Sequence, residues 1–216
     1  MRIRMLEILT RDLKKTKNFY LDKLGLQLTD QSADHFSIAL PDSSLRFRLC
    51  LTGSPIYHIA FTVPSNQIED SLHWIRSRAE LIPVNKEEYI ADFSNWNAQA
   101  LYFFDNNGNI LELIGRTDLH NENNSPFTSS SILAISEVGI VTEDVKKYCE
   151  ALITNFGLEY FSRQPPQKDF AAVGEDSGLF IVVPQNRNWY PTKIKSTKSW
   201  LKLQFEHRGK EYIVEN

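Results

Sequence analysis

Thr10-Arg11-Asp12-Leu13-Lys14-Lys15 recurs 132 residues later as Thr142-Glu143-Asp144-Val145-Lys146-Lys147. At the same offset, Leu24-Gly25-Leu26-Gln27-Leu28 recurs as Phe156-Gly157-Leu158-Glu159-Tyr160. Phe36 leads to Asp42-Ser43-Ser44-Leu45 as Phe170 leads to Asp176-Ser177-Gly178-Leu179, now at an offset of 134, so a loop has gained two residues. Self-similarity of this kind marks a repeated supersecondary unit, and the content of that unit decides the fold.

In the first copy, Arg4 to Thr10 reads as an apolar strand, and Asp12 stands where a helix N-cap belongs. Leu13, Thr16, Tyr20 and Leu24 share one helical face, and Gly25 supplies the left-handed residue that closes such a helix. Three strands follow, Leu26 to Asp30, His35 to Leu40 and Leu45 to Leu51, the last two joined through the turn residues Pro41-Asp42-Ser43-Ser44. The unit is βαβββ.

Tyr57 to Ile114 fits the same plan with weaker similarity. Its first strand is Ile59 to Val63, and its helix opens on the capping-box pattern Asn66-Gln67-Ile68-Glu69 with Ile68, Leu72 and Ile75 on one face. Two strands close it through Asp105-Asn106-Asn107-Gly108, where Asn107 and Gly108 are expected to take positive φ. A third unit runs from Ile132 to about Val183, and a tail hairpin follows: Trp200 to Phe205, a turn at His207-Arg208-Gly209-Lys210, and Glu211 to Val214. Arg116 to Ser131, rich in Asn, Ser and Thr, reads as a surface linker. The fold class is α+β, built from tandem βαβββ modules.

Two strands of the second unit each carry one strong metal-ligand type among apolar residues. These are His58 in Tyr57-His58-Ile59-Ala60-Phe61-Thr62-Val63 and Glu112 in Ile110-Leu111-Glu112-Leu113-Ile114. Burying either alone is costly, and a divalent metal is a natural partner for both. Metal-free readings stand beside this one: His58 as a core histidine bonded to backbone, and Glu112 paired with Arg46 or Arg48.

The second unit resembles the last module of the vicinal oxygen chelate superfamily, the glyoxalases, bleomycin-resistance proteins and extradiol dioxygenases. Those proteins commonly read His-x-Ala-Phe on one strand, then Tyr-Phe-x-Asp-Pro-x-Gly-Asn-x-x-Glu on the last. The resemblance implies that two modules form one cup-shaped mixed sheet around a metal, with ligands on the first and last strands of each. It implies a paired-module cup over residues 1–115, a linker at 116–131, and a third module with its hairpin at 132–216. That third module then pairs with the tail hairpin or with a second subunit, as a homodimer contact.

In the first module the family's first-strand ligand lies seven residues before the capping Asp12, which points to Met5, a departure from the pattern. Glu7 shares the face of Met5 by the two-residue period of a strand and is the substitute. The implied ligand set is His58, Glu112 and Glu7 around Fe, Mn, Zn or Ni. Glu7 and Glu112 are the candidate catalytic bases, and Arg48, Trp96 and Tyr102 the candidate substrate contacts. The implied chemistry is chelation of a small substrate through adjacent oxygens, of the isomerase or lyase type ahead of ring cleavage because a second His is missing. The alternative is a metal-free protein that sequesters a small molecule. Trp189-Tyr190-Pro191 receives no role.

A formal net charge of −3 and a pI near 6.0 exclude a polyanion-binding class; Lys193, Lys195, Lys198 and Lys202 read as a solvated face. Glu7 interrupts the start of the chain where a signal peptide would need an apolar run, and no apolar run reaches membrane-spanning length, so a cytoplasmic location is expected. Cys50, in an expected strand, and Cys149, in an expected helix, read as core residues, not a disulfide. His35, His73, His120 and His207 read as surface or structural.

Overall fold

The structure, a computed structural model, describes residues 1–216. The first module comprises β1 (Arg2–Thr10), α1 (Leu13–Lys17), β2 (Gln27–Gln31), β3 (His35–Ala39) and β4 (Ser44–Leu49). The second comprises β5 (His58–Val63), α2 (Ile68–Ile75), β6 (Glu80–Ile82), β7 (Ile90–Phe93), β8 (Ala98–Phe104) and β9 (Ile110–Arg116). The third comprises β10 (Ala134–Thr142), α3 (Val145–Phe156), β11 (Ala171–Glu175) and β12 (Gly178–Pro184), and the tail hairpin is β13 (Leu201–His207) with β14 (Lys210–Glu215). None of the helices is long and apolar enough to cross a membrane.

The sequence repeat is a repeat of backbone detail. The Asp12 carboxylate accepts the Lys15 N–H at 2.9 Å ahead of α1, and Asp144 accepts from Lys147 at 3.0 Å ahead of α3. Gly25 and Gly157 close the two helical segments at φ of 69° and 67°. The first segment departs from a plain helix: after Lys17 it widens into a π-helical turn over Asn18–Lys23, which delivers Tyr20 into the core. A β-bulge between Ile3 and Met5 has its counterpart between Ile135 and Glu137. In each copy the extra residue flips the strand's phase, so that Leu6 and Val138 face the helices and the residue just before each faces the opposite way.

Several local expectations need correction. The helix of the second module has Gln67, not Asn66, at its N-cap, because Asn66 is bonded on both sides to Asn123 of the linker. In the 105–108 turn only Gly108 takes positive φ; the carboxylate of Asp105 holds the turn instead, accepting the N–H groups of Asn107 and Asn109. The second strand of the third module shrinks to one bridge, Tyr160 with Val173. Cys50 lies half-buried just past β4, whereas Cys149 is buried in α3 as expected.

The pairing of modules also differs from expectation. The second module pairs with the third: β5 and β10 run antiparallel at the centre of an eight-stranded sheet ordered β11-β12-β10-β5-β9-β8-β6, with β7 beside β8. The first module takes the tail hairpin instead, giving a six-stranded sheet ordered β14-β13-β1-β4-β3-β2. The hairpin turn has Arg208 and Gly209 both at positive φ, the backbone that a two-residue connection needs.

One apolar core joins the helix-facing sides of both sheets, with Leu6, Ile8 and Phe47 from one and Ile59, Phe61, Leu113 and Val138 from the other. Polar struts cross it. The Tyr20 hydroxyl donates to Asp105 at 2.9 Å, and the Tyr57 hydroxyl accepts from the Leu9 N–H and donates to the Trp200 carbonyl at 2.6 Å. Asp105 also accepts from the Asn109 side chain, so Asp105→Ala would orphan buried donors from two modules at once. The expected loss is about 3 kcal/mol in urea unfolding, against about 1 for Tyr20→Phe. Equal losses from the two substitutions would show that the turn bonds contribute nothing.

Candidate metal centre

Along β5 the two-residue period sends Ile59, Phe61 and Val63 to the core and His58, Ala60 and Thr62 to the opposite, concave face of the eight-stranded sheet. Glu112 comes to that face from β9, directly beside Ala60, and Glu137 comes from β10, beside Ala60 on its other flank. The ligand atoms of His58, Glu112 and Glu137 all lie within 4.8 Å of one another, with His58 Nε2 3.4 Å from Glu112 Oε2. All three residues are buried.

The electrostatics of this cluster are unbalanced. Arg116, fully buried at the end of β9, contacts Glu137 through Nη2 and reaches Asp176 at 3.4 Å, with the rings of Trp96 and Phe161 against its guanidinium. One buried cation therefore faces two buried carboxylates. Burial pushes the Glu112 carboxyl well above the usual range, the neighbouring Glu137 charge pushes it further, and Arg116 only partly opposes them. Burial also raises Glu137, but there the touching guanidinium favours the ionised form. Burial lowers the His58 imidazole to about 4, so the ring is neutral and one of its two nitrogens has a lone pair to coordinate. His58 Nδ1 is buried without a hydrogen-bond partner.

These groups fit a divalent cation. A neutral imidazole and two carboxylates supply borderline-to-hard donors, and a cation would cancel the excess negative charge. By the pseudo-symmetry of β5 with β10, the fourth position of the cup falls to Ile181, which faces Gly139 as Glu112 faces Ala60. An apolar fourth position leaves the coordination sphere open on that side.

A cavity of about 260 Å³ opens over the cluster. Phe93, Trp96, Tyr102, Phe170, Trp189 and Tyr190 form its walls. Tyr102 lies directly across the strand pair from Glu112, and the Trp189 ring packs on His58 with centroids 5.1 Å apart. Trp189 can come so close because Gly139 lacks a side chain: a Cβ there would stand 2.6 Å from the Trp189 ring. Gly139→Ala is therefore expected to push the indole off His58, with a stability loss of roughly 1–3 kcal/mol. A red shift of tryptophan emission would report the move, and unchanged emission and stability would contradict it.

The sequence expectations divide cleanly here. His58, Glu112, Trp96 and Tyr102 line one cavity. Glu7 and Arg48 do not join them: they lie in the six-stranded sheet, where Arg48 Nε sits 2.6 Å from Glu7 Oε1. Glu7 is flanked by Arg46 on β4 and Lys202 on β13, just as Ala60 is flanked by Glu112 and Glu137. The first sheet thus places Met5, Arg46 and Lys202 where the second places its ligands, and cations occupy the positions a metal would need as carboxylates. Glu137, the third member of the cluster, was missed. Its signal was present, because it stands seven residues before Asp144 and 132 residues after Met5. Trp189 and Tyr190, assigned no role, line the cavity.

Fold and site together describe a tandem βαβββ protein with one buried His–Glu–Glu cluster in one complete cup. A candidate dioxygenase from Bacillus subtilis superposes with a TM-score of 0.62 at 16% identity, over 85% of this chain and 63% of that one. A glyoxalase I variant from Zea mays superposes with a TM-score of 0.58 at 13% identity, over 90% of this chain and 71% of that one. The chain thus spans less than two thirds of the Bacillus protein's length. No protein-family model and no curated protein sequence matches it. The fold is that of the glyoxalase and dioxygenase structures.

Proposed function

We propose that the chain is a metalloprotein that holds one divalent metal on His58, Glu112 and Glu137 and takes a small substrate through adjacent oxygens. The observation that carries this reading is the buried cluster with one cation for two carboxylates, open above to an aromatic cavity. When bound, such a metal acts as a Lewis acid toward chelating oxygens. The protein's own groups divide the remaining work. Glu137 is held by Arg116, whose touching guanidinium favours its ionised form. Glu112, which no side-chain cation touches, is the carboxylate placed to act as general base toward a substrate in the cavity. Tyr102 stands over it, and the aromatic walls exclude water and orient a planar substrate.

Isomerase or lyase chemistry ranks above oxidative ring cleavage, because the third ligand is Glu137 rather than a second histidine. One observation favours the rival reading, metal-free sequestration: Arg116 already neutralises Glu137, and six aromatic rings can hold a planar compound unaided. Metal analysis of wild-type protein purified without chelator separates the two. About one equivalent of metal supports the first reading, and protein that carries none and takes up none in titration supports the second.

A further inference from the structure

Arg187 is the one cation among the residues that line the cavity, and it stands with Phe170 rather than with the buried cluster. Its guanidinium lies over the Phe170 ring, 5.2 Å from the centroid. Its Nε reaches the exposed Asp169 at 3.4 Å, its Nη1 reaches the Asn188 carbonyl, and Nη2 takes neither. A long, solvent-screened ion pair of this kind is readily exchanged for a better anion. A planar guanidinium held at a cavity wall presents the fork that pairs with a carboxylate.

The cavity is just below the roughly 300–1,000 Å³ usual for drug-sized ligands, so one compact molecule must span it. Building on the metal reading above, the geometry points to a small planar carboxylic acid as the ligand class. Its adjacent oxygens sit toward His58, Glu112 and Glu137, its ring lies between Trp96, Trp189 and Tyr190, and its ionised acid displaces Asp169 from Arg187. Asp169 then acts as a placeholder that keeps Arg187 oriented while the cup is empty and is released when an acid enters.

Calorimetric titration with 3,4-dihydroxybenzoate and its uncharged amide tests this, since the two differ only in the charge at the end remote from the adjacent oxygens. In metal-loaded wild type the acid is expected to bind about tenfold or more tighter than the amide. Arg187→Gln should reduce that ratio to near one without changing amide affinity, Arg187→Lys should restore part of it, and Asp169→Asn should raise it. A wild-type ratio near one, a ratio unchanged in Arg187→Gln, or no binding of either compound would overturn the proposal. The metal reading is scored separately by His58→Ala: if the acid-to-amide ratio persists there while amide affinity is also unchanged, the acid clamp stands and the metal reading fails.

Discussion

His58→Ala, Glu112→Gln and Glu137→Gln are each expected to abolish stoichiometric metal binding, while Glu7→Gln leaves it intact. Each of the first three removes a donor from a set of three whose atoms converge within 4.8 Å. Loss of a mere supporting partner of a metal ligand costs roughly 10–100-fold in affinity, so loss of a ligand itself should exceed that. Glu7 belongs to the other sheet, where Arg48 holds it, and its removal touches no donor atom of the cluster. Titration of the chelated protein with Zn²⁺ or Mn²⁺ reads all four variants. If Glu7→Gln lost the metal, or Glu137→Gln kept full affinity, the centre would be wrongly placed.

The second large effect is expected at Arg116. Arg116→Met replaces a fully buried guanidinium by an apolar chain of similar reach, leaving Glu137 and Glu112 in one buried volume with no opposing charge. Breaking a buried ion pair from one side costs about 3–5 kcal/mol, and a value in that range is expected for the metal-free protein in urea unfolding. Two rescues follow. Glu137→Gln in the Arg116→Met background removes the orphaned charge and should recover part of the loss. Saturating divalent metal should also stabilise Arg116→Met more than wild type, because the bound cation takes over the missing compensation. A loss below about 1 kcal/mol, or an unaltered loss in the double variant, would show that Arg116 does not carry the charge balance of the cup.

Much of the local structure was legible because it depends on neighbours in sequence. Asp12 and Asp144 cap helices through bonds that span three residues, and Gly25 and Gly157 close them by their own φ. The two-residue strand period holds for Met5 and Glu7, which share the face opposite Leu6. Local reading failed at Asn66, which the distant Asn123 draws away from the helix start, and at Asn107, where the neighbouring Asp105 carboxylate holds the turn without a positive φ. Glu137 is a different kind of miss. The seven-residue spacing that points to Met5 in one module points equally to Glu137 in the other, and only the pairing of β5 with β10 decides which position belongs to the cup.

What the sequence determined by itself was the unit, its repetition and the face each side chain takes within a strand, because caps, turns and the two-residue period are set by the chain's own neighbours. Which unit pairs with which was decided only in three dimensions. β5 joins β10 and β1 joins β13 through backbone N–H and C=O groups that every residue carries alike, so the choice of partner strand leaves little mark on the sequence. That choice set Glu137 rather than Glu7 beside His58 and Glu112. It also left the first sheet with Arg46 and Lys202 around Glu7, so only the second sheet has the charge to hold a metal.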